Sequence, residues 1–437
     1  MKQIPFWVFI PVWFASLALA RVLAQRIPGV TVFFTAASTL YILLPVFFYS
    51  ADAQFFPTML IGCGLSIVGF WLGLTALTSL REPRLTLVPD APLESRRLLH
   101  TSAVLMMVGV SGVALANPGF LAQLGTYEGR VAFQVERGIE PFFLNQAVVG
   151  LGAFLLLALE EGRWTIALCT SALGFGWAVY SSHKLSLLIT LAAWFAWWIA
   201  GVMRGERSSR MAWLGIMLLP LMLPILLVYS FLRAGVTGNL SEAITVGLAS
   251  MDLLGDAGVM VGDFDGPYRV LVSTLEDHAG DVLLGWTYLS QLLVLLPRAF
   301  RGDFEDLAEE FGRLRLGSTW QPGMGFAFSP WAEGVLNFGI LGFLVEGLLF
   351  GILVRLLVRT GRVTFGGGAS LVLYCVVPQI VLFQRGYLVG VVKNVIVYVV
   401  PFACVWLSLG WFGRVASAVH RPADSELETG EIPANAR

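Results

Sequence analysis

The chain has 437 residues, 57% of them hydrophobic and 13% charged, with a formal net charge of −1 at pH 7. Soluble domains carry about 25% charged residues, so this composition excludes an ordinary soluble domain. Near-neutrality names no partner, because in a membrane chain the placement of charge matters more than its sum.

Apolar runs of about 20 residues recur along the whole length, enough for a helix to cross about 30 Å of hydrocarbon. Unpaired backbone groups are costly in lipid, so these runs are expected as helices. Eleven spans are predicted, near residues 4–20, 29–49, 55–80, 97–116, 143–159, 164–180, 183–203, 211–231, 330–354, 366–384 and 393–413. The fold class is therefore an all-α polytopic membrane protein, one domain over residues 1–437. The first run ends Ala18, Leu19, Ala20, which resembles a signal-peptidase site. Cleavage there would invert the spans that follow and move Arg81, Arg84, Arg96 and Arg97 outside, so the run is read as a retained span.

Arginines fall in alternate connections. One set holds Arg21 and Arg26, then Arg81 to Arg97, Arg163, Arg204 to Arg210, and Arg355 to Arg362, whereas residues 50–54 have none. The positive-inside rule places that set in the cytoplasm and loops 117–142 and 232–329 outside. The polar tail over 415–437 is expected to be disordered.

On the predicted outer face, Arg130 and Arg137 stand seven apart, two helical turns, so on a helix both face one way. Guanidinium groups grip phosphate oxygens bidentately, although pairing with Glu128 and Glu136 would equally occupy them. His183 and Lys184 sit in a tight hinge between two spans, where a cation is costly unless it meets an anion or water. The apolar stretch 282–296 is short and interrupted by Thr287, Ser290 and Gln291, which predicts an interfacial or re-entrant helix. Arg298 and Arg301 follow it at headgroup depth. The acidic run from Asp303 to Glu310 reads as a solvated helix face. Glu333 and Asn337, one turn apart, open the ninth span, with Glu346 deeper in the same helix, and Gln384, Arg385 and Tyr387 end the tenth.

Cys63, Cys169, Cys375 and Cys404 all lie in apolar runs without a CxxC pair, and the four histidines are far apart. No metal, cofactor or nucleic-acid partner is expected. Neither a P-loop nor a GxSxG elbow occurs.

The layout resembles the O-antigen polymerase family of bacteria, the oligosaccharide repeat-unit or Wzy group. The resemblance rests on the many-span topology, the outer arginine loop around Arg130, Ser182-His183-Lys184 heading a leucine-rich span, and the glycine-rich run from Gly323 through Ser329, Glu333 and Asn337 to Gly339. Several family members carry arginine where this chain has Lys184. The resemblance implies a metal-independent glycosyltransferase of the bacterial inner membrane. It would polymerise undecaprenyl-diphosphate-linked repeat units on the periplasmic face, with membrane lipids and a chain-length regulator as partners. Glu333 would then serve as base, with His183 as the other catalytic candidate. Arg130, Arg137, Lys184, Arg298, Arg301, Asn337, Arg385 and Tyr387 would hold diphosphate and glycan. A glycan ligase needs much the same cations. A flippase for the lipid-linked glycan would favour charges on both halves of a repeat-built bundle, and no internal repeat is visible.

Overall fold

The computed structural model describes residues 6–23, 28–47, 54–76, 94–119, 140–181, 184–207, 262–277, 282–296, 304–316, 328–366 and 368–419. All regular structure among them is helical. The elements are α1 (Phe9–Leu23), α2 (Pro28–Leu43, continued by a 3-10 turn Leu44–Phe47), α3 (Phe56–Ala76), α4 (Ser95–Ala116), α5 (Glu140–Glu160), α6 (Trp164–Ser181) and α7 (Lys184–Met203). There follow α8 (Gly262–Asp277), α9 (Trp286–Gln291, continued by Leu292–Leu295), α10 (Leu307–Leu316), α11 (Pro330–Phe338), α12 (Gly342–Thr364), α13 (Ala369–Phe383) and α14 (Leu388–Val419).

Seven stretches among the described residues are long and apolar enough to cross a membrane: Val30–Phe47, Phe56–Ala76, Ser95–Ala116, Phe142–Glu160, Ser186–Met203, Pro330–Thr364 and Leu388–Phe412. Shorter apolar helices occupy Phe9–Val22, Trp164–Ala178 and Ala369–Phe383, where spans were also expected. The expected span 211–231 lies outside the described residues; of the tail 415–437, residues 415–419 extend α14 instead of being disordered, and the rest lies outside the described residues.

The ninth span departs from expectation. Residues 330–354 do not form one rod: α11 stops at Phe338, Gly339 takes a positive φ of 59°, and α12 starts afresh at Gly342. In a continuous helix Gly334 and Gly342 would be about 12 Å apart. Instead their backbones touch, and a Cβ on Gly342 would sit 2.0 Å from the carbonyl carbon of Gly334. α11 therefore folds back against α12. Nine residues give it only about 14 Å of length, so it cannot span alone.

α12 packs most extensively on α3. Small residues permit this: a Cβ on Gly69 would lie 2.2 Å from the Leu344 carbonyl oxygen, and one on Gly351 would lie 2.3 Å from that of Phe70. In lipid, where hydrophobic burial between helices contributes little, such close backbone approach drives association. Phe34, Phe70, Phe350 and Phe383 stack beside this seam, with centroids 3.9 Å apart for Phe34–Phe70 and 4.0 Å for Phe350–Phe383.

The bundle has two chemically different ends. At one, Arg97 at the start of α4 donates to the Trp406 carbonyl at 2.7 Å, and Trp406 meets Phe365 just past α12. Nearby in the fold, Arg204 after α7 pairs with Glu160 at the end of α5 at 2.9 Å, and Arg355 donates to the carbonyl of Leu74 near the end of α3. Arg204 also donates to Glu206 at 2.7 Å, which holds that carboxyl below its ordinary range. At the other end lie the start of α12, the end of α13, the start of α14, and α9 and α11. α12, about 35 Å long, joins the two ends.

The predicted loop 232–329 is not wholly peripheral. Its helices α8 and α9 pack on α11, and Tyr268, Val294 and Leu307 are buried. The acidic run is a helix start rather than a plain solvated face: Asp306 caps α10 by accepting the Glu309 amide at 2.9 Å, and Glu309 is itself buried.

Candidate functional site

Ser329 begins α11 in an extended conformation and accepts the Trp331 amide at 3.1 Å, with Pro330 in the first turn. This is ordinary N-terminal capping chemistry, so the serine of the motif is a helix cap. Trp331 then anchors the helix inward. Its indole stacks on Phe343 at 5.9 Å and donates to the Gln384 side chain at 3.3 Å, while the Gln384 amide reaches Ser38 of α2 at 3.0 Å. Ser38 lies nine residues before the end of the α2 run, about 14 Å along the helix, so the site is recessed into the bundle.

Glu333 has 0% exposure. Its Oε1 accepts the Thr287 hydroxyl at 3.1 Å, and its Oε2 accepts the amide of Leu388, the first residue of α14, at 2.8 Å. A carboxylate at a helix N-terminus is favoured by the exposed amides and the helix dipole. No cation pairs with Glu333 among the described residues. Glu333, expected to open the ninth span, is covered there by α9, because Thr287 is drawn down onto it.

Asn337 is also fully buried and serves as the clasp. Its Nδ2 donates to the Thr287 hydroxyl and to the Glu333 carbonyl, the latter at 2.9 Å, while its Oδ1 accepts the Gly285 amide at 3.1 Å. The last carbonyls of α11 would otherwise lack partners. Those of Leu336 and Asn337 accept from the Leu283 and Leu284 amides at 2.9 and 3.1 Å. The chain before α9 is thereby pinned across the end of α11, and Leu284 adopts a positive φ of 47° to do so.

Glu346, one turn into α12, is the second buried carboxyl. Its Oε1 accepts the Tyr288 hydroxyl at 2.7 Å, its Oε2 has no hydrogen-bond partner among the described residues, and its Cγ would lie 2.8 Å from a Cβ on Gly334. Consecutive residues of α9, Thr287 and Tyr288, thus reach the two carboxyls.

Of the sequence-predicted residues, Glu333 and Asn337 meet directly. The turn holding half-buried Arg385 and buried Tyr387 adjoins them through Leu388. Lys184 opens α7. Arg130, Arg137, His183, Arg298 and Arg301 lie outside the described residues. Thr287, Tyr288 and the Leu388 amide were not singled out as site groups, whereas Gln384 was noted with Arg385 and Tyr387. The available signal was the polar interruption of an apolar run: Thr287 and Gln291, four apart, share a helical face, and both are buried. Among the described residues no group of three His, Cys, Asp or Glu side chains is placed to hold a metal ion.

Comparison with protein-family models, with curated proteins and with solved structures finds no match.

Proposed function

We propose that the chain is a metal-independent glycosyltransferase of the bacterial inner membrane, of the repeat-unit polymerase kind, acting on undecaprenyl-diphosphate-linked oligosaccharides. In this reading eleven spans cross the membrane, the arginine end faces the cytoplasm, and the Glu333 end faces the periplasm with loops 117–142 and 232–329. The observation that carries it is Glu333 itself, a buried carboxylate without a cation partner among the described residues. It sits on a folded-back half-helix at the end of the bundle opposite Arg97, Arg204 and Arg355.

The Thr287 hydroxyl marks the approach of an acceptor. A sugar hydroxyl that replaces it donates to Glu333 Oε1 in the same geometry once α9 lifts, and Asn337 is placed to orient it. The hydroxyl oxygen bonds to the anomeric carbon, its proton passes to Glu333, and the anomeric carbon–oxygen bond to diphosphate breaks with its electron pair leaving on the diphosphate. General-base help of this kind is worth about 10²–10⁴-fold. Arg130, Arg137, Lys184, Arg298, Arg301 and Arg385 are assigned to the departing diphosphate, since fixed cations stabilise charge that develops in the transition state. His183 is the alternative base.

A second reading has its own support. A broken helix carrying two buried carboxyls, Glu333 and Glu346, is also how transporters build midplane sites. Proteoliposomes holding the purified chain and lipid-linked repeat units separate the two. A polymerase yields a ladder of longer glycans, and a flippase moves the unit across without lengthening it. Offering lipid A core as acceptor distinguishes a ligase. Absence of any lengthened product with either acceptor overturns the enzyme reading.

A further inference from the structure

At the arginine end, a cleft of about 210 Å³ opens between the start of α4, the end of α5 and the start of α6. Arg96 and Arg163 stand on its rim, and Leu99, Phe154, Leu157 and Ile166 form its walls. Nothing in the proposed reaction uses it, since Glu333 lies at the opposite end of the bundle.

Three independent features agree on what it takes. First, the cations retain donors. Arg163 gives its Nε to Glu161 at 2.8 Å, which leaves both terminal nitrogens of its fork, and Arg96 is exposed and solvent-facing. Glu161 also lines the cleft, so the net charge of the three is +1. Second, α4 begins without a side-chain cap, and Ser95 and Arg96 of that uncapped first turn line the cleft. Third, the rim lies at an aromatic girdle. Trp164, 51% exposed, directly follows Arg163 and meets Trp197 edge-on at 5.4 Å, with Trp194 at 5.8 Å from Trp197 and the Arg207 guanidinium 3.4 Å above the Trp197 ring. Tryptophan collects at the membrane–water boundary, which sets Arg96 and Arg163 at headgroup height with Leu99, 42% exposed, and Ile166 just beneath them.

We propose that this cleft binds an anionic phospholipid, its phosphate between Arg96 and Arg163 and an acyl chain along Leu99, Phe154 and Ile166. The apolar wall continuing below the cations selects a lipid over a free phosphate, and the net positive charge of the rim selects an anionic headgroup over a zwitterionic one. A lipid held here clamps α4 to the α5–α6 hairpin.

The full chain, purified in detergent and stripped of lipid, tests this by native mass spectrometry and thermal unfolding. The probes are phosphatidylglycerol, phosphatidylcholine and inorganic phosphate. Phosphatidylglycerol is expected to remain bound and to raise the unfolding temperature, and neither of the others to do so. Arg96→Gln/Arg163→Gln should weaken phosphatidylglycerol retention at least about tenfold, taking about 1 kcal/mol per surface cation. Arg313→Gln, a charge removed elsewhere, should leave retention unchanged. Equal stabilisation by phosphatidylcholine, reproduction of the effect by phosphate alone, or full retention by the double variant overturns the proposal.

Discussion

Both oxygens of Glu333 are occupied by neutral donors, so its side chain is a tie between α9, α11 and α14 as well as a candidate base. The two roles separate by substitution. Glu333→Ala orphans the Thr287 hydroxyl and the Leu388 amide, and a buried unsatisfied group costs about 1–3 kcal/mol; thermal unfolding should register that loss. Glu333→Gln fills the same volume and still accepts from Leu388, leaving only the Thr287 hydroxyl proton to be re-paired, so it should unfold closer to the wild-type temperature than Glu333→Ala does. It should nonetheless make almost no polymer in the proteoliposome assay. Normal polymer from Glu333→Gln would leave Glu333 a tie alone and move the base to His183. The four-residue spacing of Glu333 and Asn337 was legible in the sequence because helical geometry alone puts them on one face. Their partner Thr287, 46 residues away from Glu333, was not, since nothing local encodes which hydroxyl a buried carboxylate will meet.

The helix break at Gly339 shows where hydropathy falls short. Ile340, Leu341, Phe343 and Leu344 continue the apolar run without interruption, so partitioning predicted one rod across residues 330–354. Hydropathy reports affinity for lipid and is silent on direction. The direction is set by the backbone: φ of 59° with ψ of −144° at Gly339 is a region other residues enter only with strain of about 1–3 kcal/mol. Gly339→Ala is therefore expected to lower stability by that amount in denaturant or thermal unfolding. Gly342→Ala, which would drive a Cβ into the Gly334 backbone, is expected to cost more and to lower folded yield. A Gly342→Ala chain as stable as wild type would mean that α11 does not fold back. The apolar helices were largely foreseen, with ends shifted by several residues, because a membrane helix satisfies its own backbone and needs no distant partner to form.

At the scale of the bundle, the arginine asymmetry read along the chain becomes a physical polarity, with Arg97, Arg204 and Arg355 tying helix ends together on one side. Gly119 and Gly205 are exposed at opposite ends of the fold. In a background lacking native cysteines, Gly119→Cys should react with a membrane-impermeant thiol reagent on intact cells and Gly205→Cys should not. The reverse pattern would invert the proposed orientation. The large loop was the least legible part: its amphipathic α8 and its capped α10 look solvated in sequence, yet they bury Tyr268 and Leu307 against the bundle.

The shortness of α13 has a consequence for how the site is reached. Its 15 residues extend only about 22 Å, whereas neighbouring α14 runs for 32 residues, about 48 Å. α13 is buried along almost its whole length, so protein and not lipid surrounds it. The turn from Gln384 to Tyr387, which leads to the Leu388 amide, is therefore walled in by longer helices, and Glu333 is uncovered by displacing α9 and not by sideways entry from the bilayer.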